Sequence, residues 1–264
     1  MNKFGLYGAA LKPERIIVAH VAFFVAIIAY WPGSNGVLGT LYGVALFVLF
    51  YGAVYLMNDI LDYREDKKDP HNRKRVLASG LVTRREAVLV AALLLLLTAG
   101  GMFFYDISLF GLAILLWGMN VLYARWLKAI PYLDLFFIAW TQAIKFLAGV
   151  VVVGVSIVIL FDVWPLFLAV YCAGLLMHVE KQMGRLQEGR ERKFRFGHYT
   201  MRGLNRIRWF AILGGFGLTF SMWGHPFFFL MLLAMGIVTT LRFLFPGEKT
   251  MSAVHALEKI FQPR

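Results

Sequence analysis

Long apolar runs recur from one end of the chain to the other, each close to the roughly 17 to 25 residues that a helix needs to cross a bilayer. They fall at 15–31, 37–57, 87–105, 107–124, 131–154, 163–179, 207–223 and 226–244. Hydrophobic residues make up 60% of the chain and charged residues 16%, with a mean hydropathy of +0.68, far more apolar than an ordinary soluble domain. The expected fold is all-α: a polytopic membrane helical bundle of eight or nine transmembrane helices, forming a single domain over residues 1–264. The ninth arises if 151–160 forms its own segment, or if 252–261 docks as a short amphipathic helix.

Charge placement orients these spans. With the N-terminus cytoplasmic, 26 of the 27 Lys and Arg fall in cytoplasmic segments, and the outer loops (WPGSNG, the YD turn, 155–162 and WGHP) contain none. The exception is Lys145, inside the fifth run. A net charge of +12 therefore reads as membrane topology together with an anionic substrate, rather than as nucleic-acid binding. The opening MNKFGLYGAALKPER lacks the order of a secretory signal, so the first run is expected to be a retained span in an integral membrane protein. Cys172, the single cysteine, lies in an apolar run; an intrachain disulfide and a Cys-based metal site are both excluded.

Two loops on the cytoplasmic side are long and charged, 58–86 and 180–206, and each carries eight cations. Each opens with charged residues that continue the preceding helix, a hint of two four-helix units related by an internal repeat. The first opens with NDILDYRED at 58–66. Asn58, Asp59, Asp62 and Asp66 stand at i, i+1, i+4 and i+8, so three of the four share one broad helical face. Hard oxygen ligands of this kind suit Mg²⁺, which takes one or two carboxylates and completes its shell with water and substrate phosphate. Downstream, Arg73 and Arg75 are placed to reach phosphates, since a diphosphate carries more charge than one divalent cation neutralises. So many carboxylates entering a membrane helix end are costly without a use.

The fifth run begins IPYLD and continues to Lys145. Asp134 and Lys145, eleven residues apart, return to one helical face about 16 Å apart, too far for an ion pair. Lys145 is a candidate to hold a diphosphate or carboxylate oxygen in a polar cavity; Gln142 and Asn120 suit helix–helix hydrogen bonds. In the second loop Glu180 and Glu188 are candidate ligands of a second metal ion. Lys181, Arg185 and Glu188 fall at i, i+4 and i+7, which makes Lys181 and Arg185 candidate substrate-binding cations. His178 and His198 lack a partner at zinc-ligand spacing.

These residues resemble the UbiA superfamily of intramembrane prenyltransferases, whose first motif NDxxDxxxD appears as Asn58, Asp59, Asp62 and Asp66 at the end of the second span. Arg73, Arg75 and the LASG at 77–80 follow the same pattern, and the resemblance extends from the first span to about residue 200. It implies a helical bundle around a central cavity, with Mg²⁺ and the diphosphate of an isoprenyl donor held by Asp59, Asp62 and Asp66 and oriented by Asn58. It further implies that Arg73, Arg75 and Lys145 stabilise the diphosphate, and that a lipophilic or aromatic acceptor takes the group. The stretch YARWLKAIPYLDLFFIAWTQAIKFLAG is similar to the decaprenyl-phosphate phosphoribosyltransferase branch, which implies the alternative of a phosphoribosyl diphosphate donor and a polyprenyl phosphate acceptor. The chain departs from these patterns in Val76 where a proline is usual, in Lys145 where that branch has arginine, and in a second motif reduced to Glu180 and Glu188. That reduction also leaves open a non-catalytic membrane protein of the same fold.

Overall fold

The computed structural model describes residues 11, 20–31, 33–68, 72–158, 164–187, 189 and 197–224. Among them are seven α-helices and no strand: α1 (Val21–Ala29), α2 (Gly36–Lys68), α3 (Arg84–Tyr105), α4 (Ile107–Arg125), α5 (Leu133–Val152), α6 (Trp164–Gln187) and α7 (Met201–Ser221). Among the described residues four segments are long and apolar enough to cross a membrane: α2, α3, Ile107–Ala129 (α4 and the turn after it) and α5. In α6 and α7 the apolar run is cut short by polar turns, since α6 ends in EKQMGRLQ and α7 opens with Arg202, Arg206 and Arg208. The eighth run at 226–244, the segment at 252–261 and the start of the first run lie outside the described residues. In the described part of 151–160, Val151 and Val152 close α5, Gly154 turns the chain at a φ of +85°, and a 3₁₀ turn opens at 157–158; 159 and 160 lie outside the described residues.

The chain divides into two compact units. The first comprises Met1–Ala124 and Ala148–Val155. In it α2 and α3 pack along one another. α3 begins where it does because Thr83 and Glu86 form a capping box: Thr83 Oγ1 accepts from the Glu86 N–H at 3.2 Å, and the Glu86 carboxylate accepts from the Thr83 N–H at 3.0 Å. Asp106 separates α3 from α4 and accepts from the Ser108 N–H at 2.6 Å, satisfying a donor that the new helix leaves open. One polar pin ties three helix ends: Tyr105 Oη donates to the Val152 carbonyl at 2.6 Å and accepts from Asn35 Nδ2 at 2.8 Å. Gly149 lets the end of α5 touch α1, because a Cβ there would fall on the Phe23 carbonyl oxygen. Close approach over small residues is how apolar helices gain packing energy in lipid.

The second unit comprises Arg125–Leu147 and the residues from Ser156 onward. α6 packs along α7, and Leu135, Ala139, Leu175, Leu176, Val179 and Leu204 are among the buried side chains of its core. The entry to α5 is fastened to the entry to α7. Tyr132, a non-glycine residue at a φ of 69°, accepts from the Thr200 N–H at 2.8 Å, while Thr200 Oγ1 caps α7 by accepting from the Gly203 N–H at 3.1 Å. On α3 the apolar side chains Leu89, Leu96 and Phe104 are 70%, 72% and 89% exposed, a pattern suited to lipid contact rather than water.

Candidate functional site

The helix that carries the motif does not stop where its apolar run stops. α2 continues unbroken from Met57 through Asn58 and ends in Lys67 and Lys68, cations that favour a helix C-terminus. The following segment then folds back. Leu77 and Val82, both buried, pack against Leu56 and Ile60 of α2 and Ala87 and Ala91 of α3. Gly80, at a φ of +82°, makes the turn. A short 3₁₀ turn, Asn72–Lys74, precedes Arg75, whose N–H donates to the Asn72 carbonyl at 2.9 Å and whose carbonyl accepts from the Ser79 N–H at 2.8 Å. The backbone of Arg75 is thereby fixed on both sides.

The consequence is an ion-pair arrangement at the end of α2. Asp59 and Asp66, seven residues apart, project within about 20° of one another on an ideal helix. Both are buried, at 4% exposure each. A single nitrogen, Arg75 Nη1, lies 3.1 Å from Asp59 Oδ1 and 2.8 Å from Asp66 Oδ2. Burial holds the Asp66 carboxyl above the usual carboxylate range, Arg75 pulls it back down, and Asp59 and Asp62 add smaller upward pushes. Asp62 is half-buried, and Arg73 is exposed. Asn58 Oδ1 is a buried carbonyl oxygen with no hydrogen-bond partner among the described residues.

This donor set fits a hard cation bound with substrate. It offers carboxylates and one unsatisfied amide oxygen, and Mg²⁺ ordinarily takes only one or two carboxylates from a protein. Among the described residues no group of three His, Cys, Asp or Glu side chains is placed to hold a metal ion, so Asp59 and Asp66 converge without Asp62 joining them in one ligand set.

A feature that the sequence reading passed over lies deeper on the same helix. Phe47, Tyr51 and Tyr55 recur every four residues, and the stripe leads into the face that bears Asn58 and Asp62. His20 is enclosed among them, its ring 3.9 Å centroid to centroid from Tyr51 and its Nε2 3.1 Å from Tyr55 Oη, while Phe47 stacks on Phe23 at 3.8 Å. The four-residue spacing puts these rings on one helical face, but it does not say whether that face meets protein or lipid.

In the second unit, Lys145 is buried on α5, at 6% exposure. Asp134 is buried as well and accepts a hydrogen bond from Tyr199 Oη at 2.6 Å. Glu180 Oε1 lies 2.9 Å from Arg208 Nε of α7, an ion pair not aligned as a hydrogen bond. Lys181 is exposed and Arg185 half-buried. Glu188 lies outside the described residues. Neither Tyr199 nor Arg208 was singled out by sequence, because each meets its partner through a separate segment.

The UbiA prenyltransferase family matches residues 19–254 of this chain. No curated protein matches it in sequence. Among solved structures, the chain is similar to one from work on digeranylgeranylglyceryl phosphate synthase in membranes, at 20% identity and a TM-score of 0.72, covering 98% of this chain and 94% of that one. It is also similar to a UbiA homolog from Archaeoglobus fulgidus bound to DMAPP and Mg²⁺, at 14% identity and a TM-score of 0.75, covering 97% and 96%. The same homolog bound to GPP and Mg²⁺ aligns at 16% identity and a TM-score of 0.74, covering 90% and 86%. These likenesses carry the fold, and the family match covers most of the sequence. The chain belongs to the UbiA prenyltransferase family.

Proposed function

We propose that this protein is a Mg²⁺-dependent intramembrane transferase that moves an isoprenyl group from a diphosphate donor to a lipophilic or aromatic acceptor. The observation that carries the reading is the end of α2, where Asp59 and Asp66 are drawn to one guanidinium nitrogen beside the unsatisfied carbonyl of Asn58. Family membership and the fold shared with a homolog bound to DMAPP and Mg²⁺ support the choice of donor. The whole chain would form one transferase domain of eight or nine spans, with its N-terminus and charged loops cytoplasmic.

Asp59, Asp62 and Asp66 would hold Mg²⁺, with Asn58 orienting the ligands. A cation held by these residues would supply positive charge to the departing diphosphate. Arg75 and Arg73 supply guanidinium donors to the same anion, and bidentate pairing makes arginine better suited than lysine for that task. Tyr55 stands one helical turn, about 6 Å of rise, from Asp59 toward the apolar run. Its ring and that of Tyr51 would face an allylic carbon as it becomes cationic, where an aromatic face lowers the energy of positive charge. Water is kept from that carbon by the apolar run itself. Lys145, Lys181 and Arg185 enter as candidate contacts to anionic substrate through the family resemblance, and Glu180 and Glu188 as a candidate second cation site.

The stretch LKAIPYLD at 127–134 favours a second donor, phosphoribosyl diphosphate, with a polyprenyl phosphate acceptor. One assay separates the two: purified protein in detergent with Mg²⁺ is offered labelled geranylgeranyl diphosphate or labelled phosphoribosyl diphosphate with a pool of lipid acceptors. Label leaving the prenyl donor for an aromatic or glycerol-type acceptor supports the first reading, and label leaving the ribosyl donor for polyprenyl phosphate replaces it with the second. Asp59→Ala and Asp62→Ala are each expected to abolish transfer in a folded protein. Full turnover in both variants would sink the assignment, and a silent wild type would leave the non-catalytic reading.

A further inference from the structure

Resting on the proposed reading, we infer that Arg75 is a built-in counter-ion that competes with the cation for Asp59 and Asp66, so that donor and metal bind as a coupled pair. Arg75 Nη1 is within 3.1 Å of Asp59 Oδ1 and within 2.8 Å of Asp66 Oδ2, so a single positively charged nitrogen bridges both buried carboxylates. A cation that takes oxygens from both competes with that nitrogen for the same two carboxylates, and the repulsion between two positive charges held there pushes the guanidinium away. The guanidinium is always charged and cannot leave the pair by losing its proton. Once displaced it is a buried-edge cation needing an anion, and the diphosphate that arrives with the metal is that anion.

The backbone around Arg75 makes this a side-chain exchange rather than a loop opening. Residues 72–82 are pinned by the Asn72 and Ser79 hydrogen bonds on either side of Arg75 and by Leu77 and Val82 in the packing against α2 and α3. The side chain itself is about a quarter exposed, at 27%, so part of it already meets solvent. Metal alone therefore pays for breaking the pair without a replacement partner for Arg75, whereas metal with diphosphate supplies one. By linkage, the donor tightens cation binding and the cation tightens donor binding by the same factor.

The test is Mn²⁺ binding followed by the electron paramagnetic resonance of free Mn²⁺, on the full chain in detergent, with and without geranyl thiolodiphosphate as an unreactive donor. Wild type is expected to bind Mn²⁺ about tenfold more tightly with the analogue than without it, within the range usual for coupled sites. Arg75→Gln is expected to bind Mn²⁺ alone about tenfold more tightly than wild type, with the analogue adding much less. Arg75→Lys, on a shorter stem, carries the same sign with a smaller change and replaces the glutamine variant if that one does not fold. Lys74→Gln, an exposed neighbour, is expected to leave the affinity for Mn²⁺ alone unchanged. Equal or weaker binding of Mn²⁺ alone by the Arg75 variants overturns the inference while leaving the metal site standing. Absence of Mn²⁺ binding by wild type even with the analogue removes the underlying reading as well.

Discussion

Replacing Glu180 and Arg208 singly, together and with their charges exchanged decides whether the reduced second motif holds a metal or holds two helices. The two groups are 2.9 Å apart, with side chains 10% and 17% exposed. Their gross attraction is about 6 kcal/mol at an effective dielectric near 20. Desolvation of both charges offsets much of this, and the misaligned Nε–H offsets more. A coupling of about 1–3 kcal/mol is the expected remainder. Glu180→Gln and Arg208→Gln should each lower the midpoint of thermal unfolding in detergent by several degrees, at about 2–4 °C per kcal/mol for a chain of this size. The double variant should lose less than the sum of the two, and Glu180→Arg with Arg208→Glu should recover part of the loss. Scan rate must be held fixed, because a membrane protein heated in detergent rarely refolds. Additive losses with no recovery on exchange would refute the pairing. If Glu180→Gln abolishes turnover at an unchanged midpoint while Arg208→Gln keeps both, Glu180 belongs to the chemistry and the two-metal arrangement gains its first ligand.

Tyr199→Phe removes the donor 2.6 Å from the buried Asp134 carboxylate and should cost about 1.5–3 kcal/mol, read as a lower unfolding midpoint; an unchanged midpoint would show that the bond contributes nothing net. Gly149→Ala places a methyl against the Phe23 carbonyl and should destabilise by about 1–3 kcal/mol, and a neutral result would mean that α1 shifts freely. Thr83→Ala opens the capping box of α3 and should cost about 1 kcal/mol, whereas Thr83→Ser should cost little; equal losses would count against the cap. Chelating the divalent cation should abolish both turnover and the thermal stabilisation given by geranyl thiolodiphosphate, and stabilisation that persists in chelator would separate donor binding from the metal.

Much of the α2 site was legible because its information is local. NDILDYRED declares a helix that outlasts its apolar run, and helical spacing alone sets Asp59 over Asp66. The burial of Asp134 and Lys145 was legible for the same reason, since polar residues inside a long apolar run have few places to go. Partners were not legible. Asp134 meets Tyr199 across 65 residues, and Glu180 meets an arginine on the next helix that reads as one more positive-inside cation. Arg75 was expected at the phosphates, and its grip on the carboxylates depends on Leu77 and Val82 folding the loop back, which spacing does not reveal. Nor could periodicity tell Phe47 and Tyr51, both buried at 2% exposure, from aromatics that face lipid.

The two charged helix ends differ in how their acids are used, and the difference bears on mechanism. In the second unit the acids have partners from separate segments: Asp134 receives a tyrosine hydroxyl and Glu180 faces an arginine, arrangements that fasten one segment to another. At the end of α2 the acids share instead, with Asp59 and Asp66 converging on one nitrogen and Asp62 one turn away on the same helix. Separate pairing suits stability, because each burial cost has its own offset. Sharing leaves like charges close together and burial raising the Asp66 carboxyl, a state that one more cation relieves. A membrane protein that needed only to hold its helices together would gain nothing from the second arrangement. Its persistence beside an unsatisfied Asn58 carbonyl is the physical reason to place the chemistry at the end of α2 and to expect Glu180 to behave as structure.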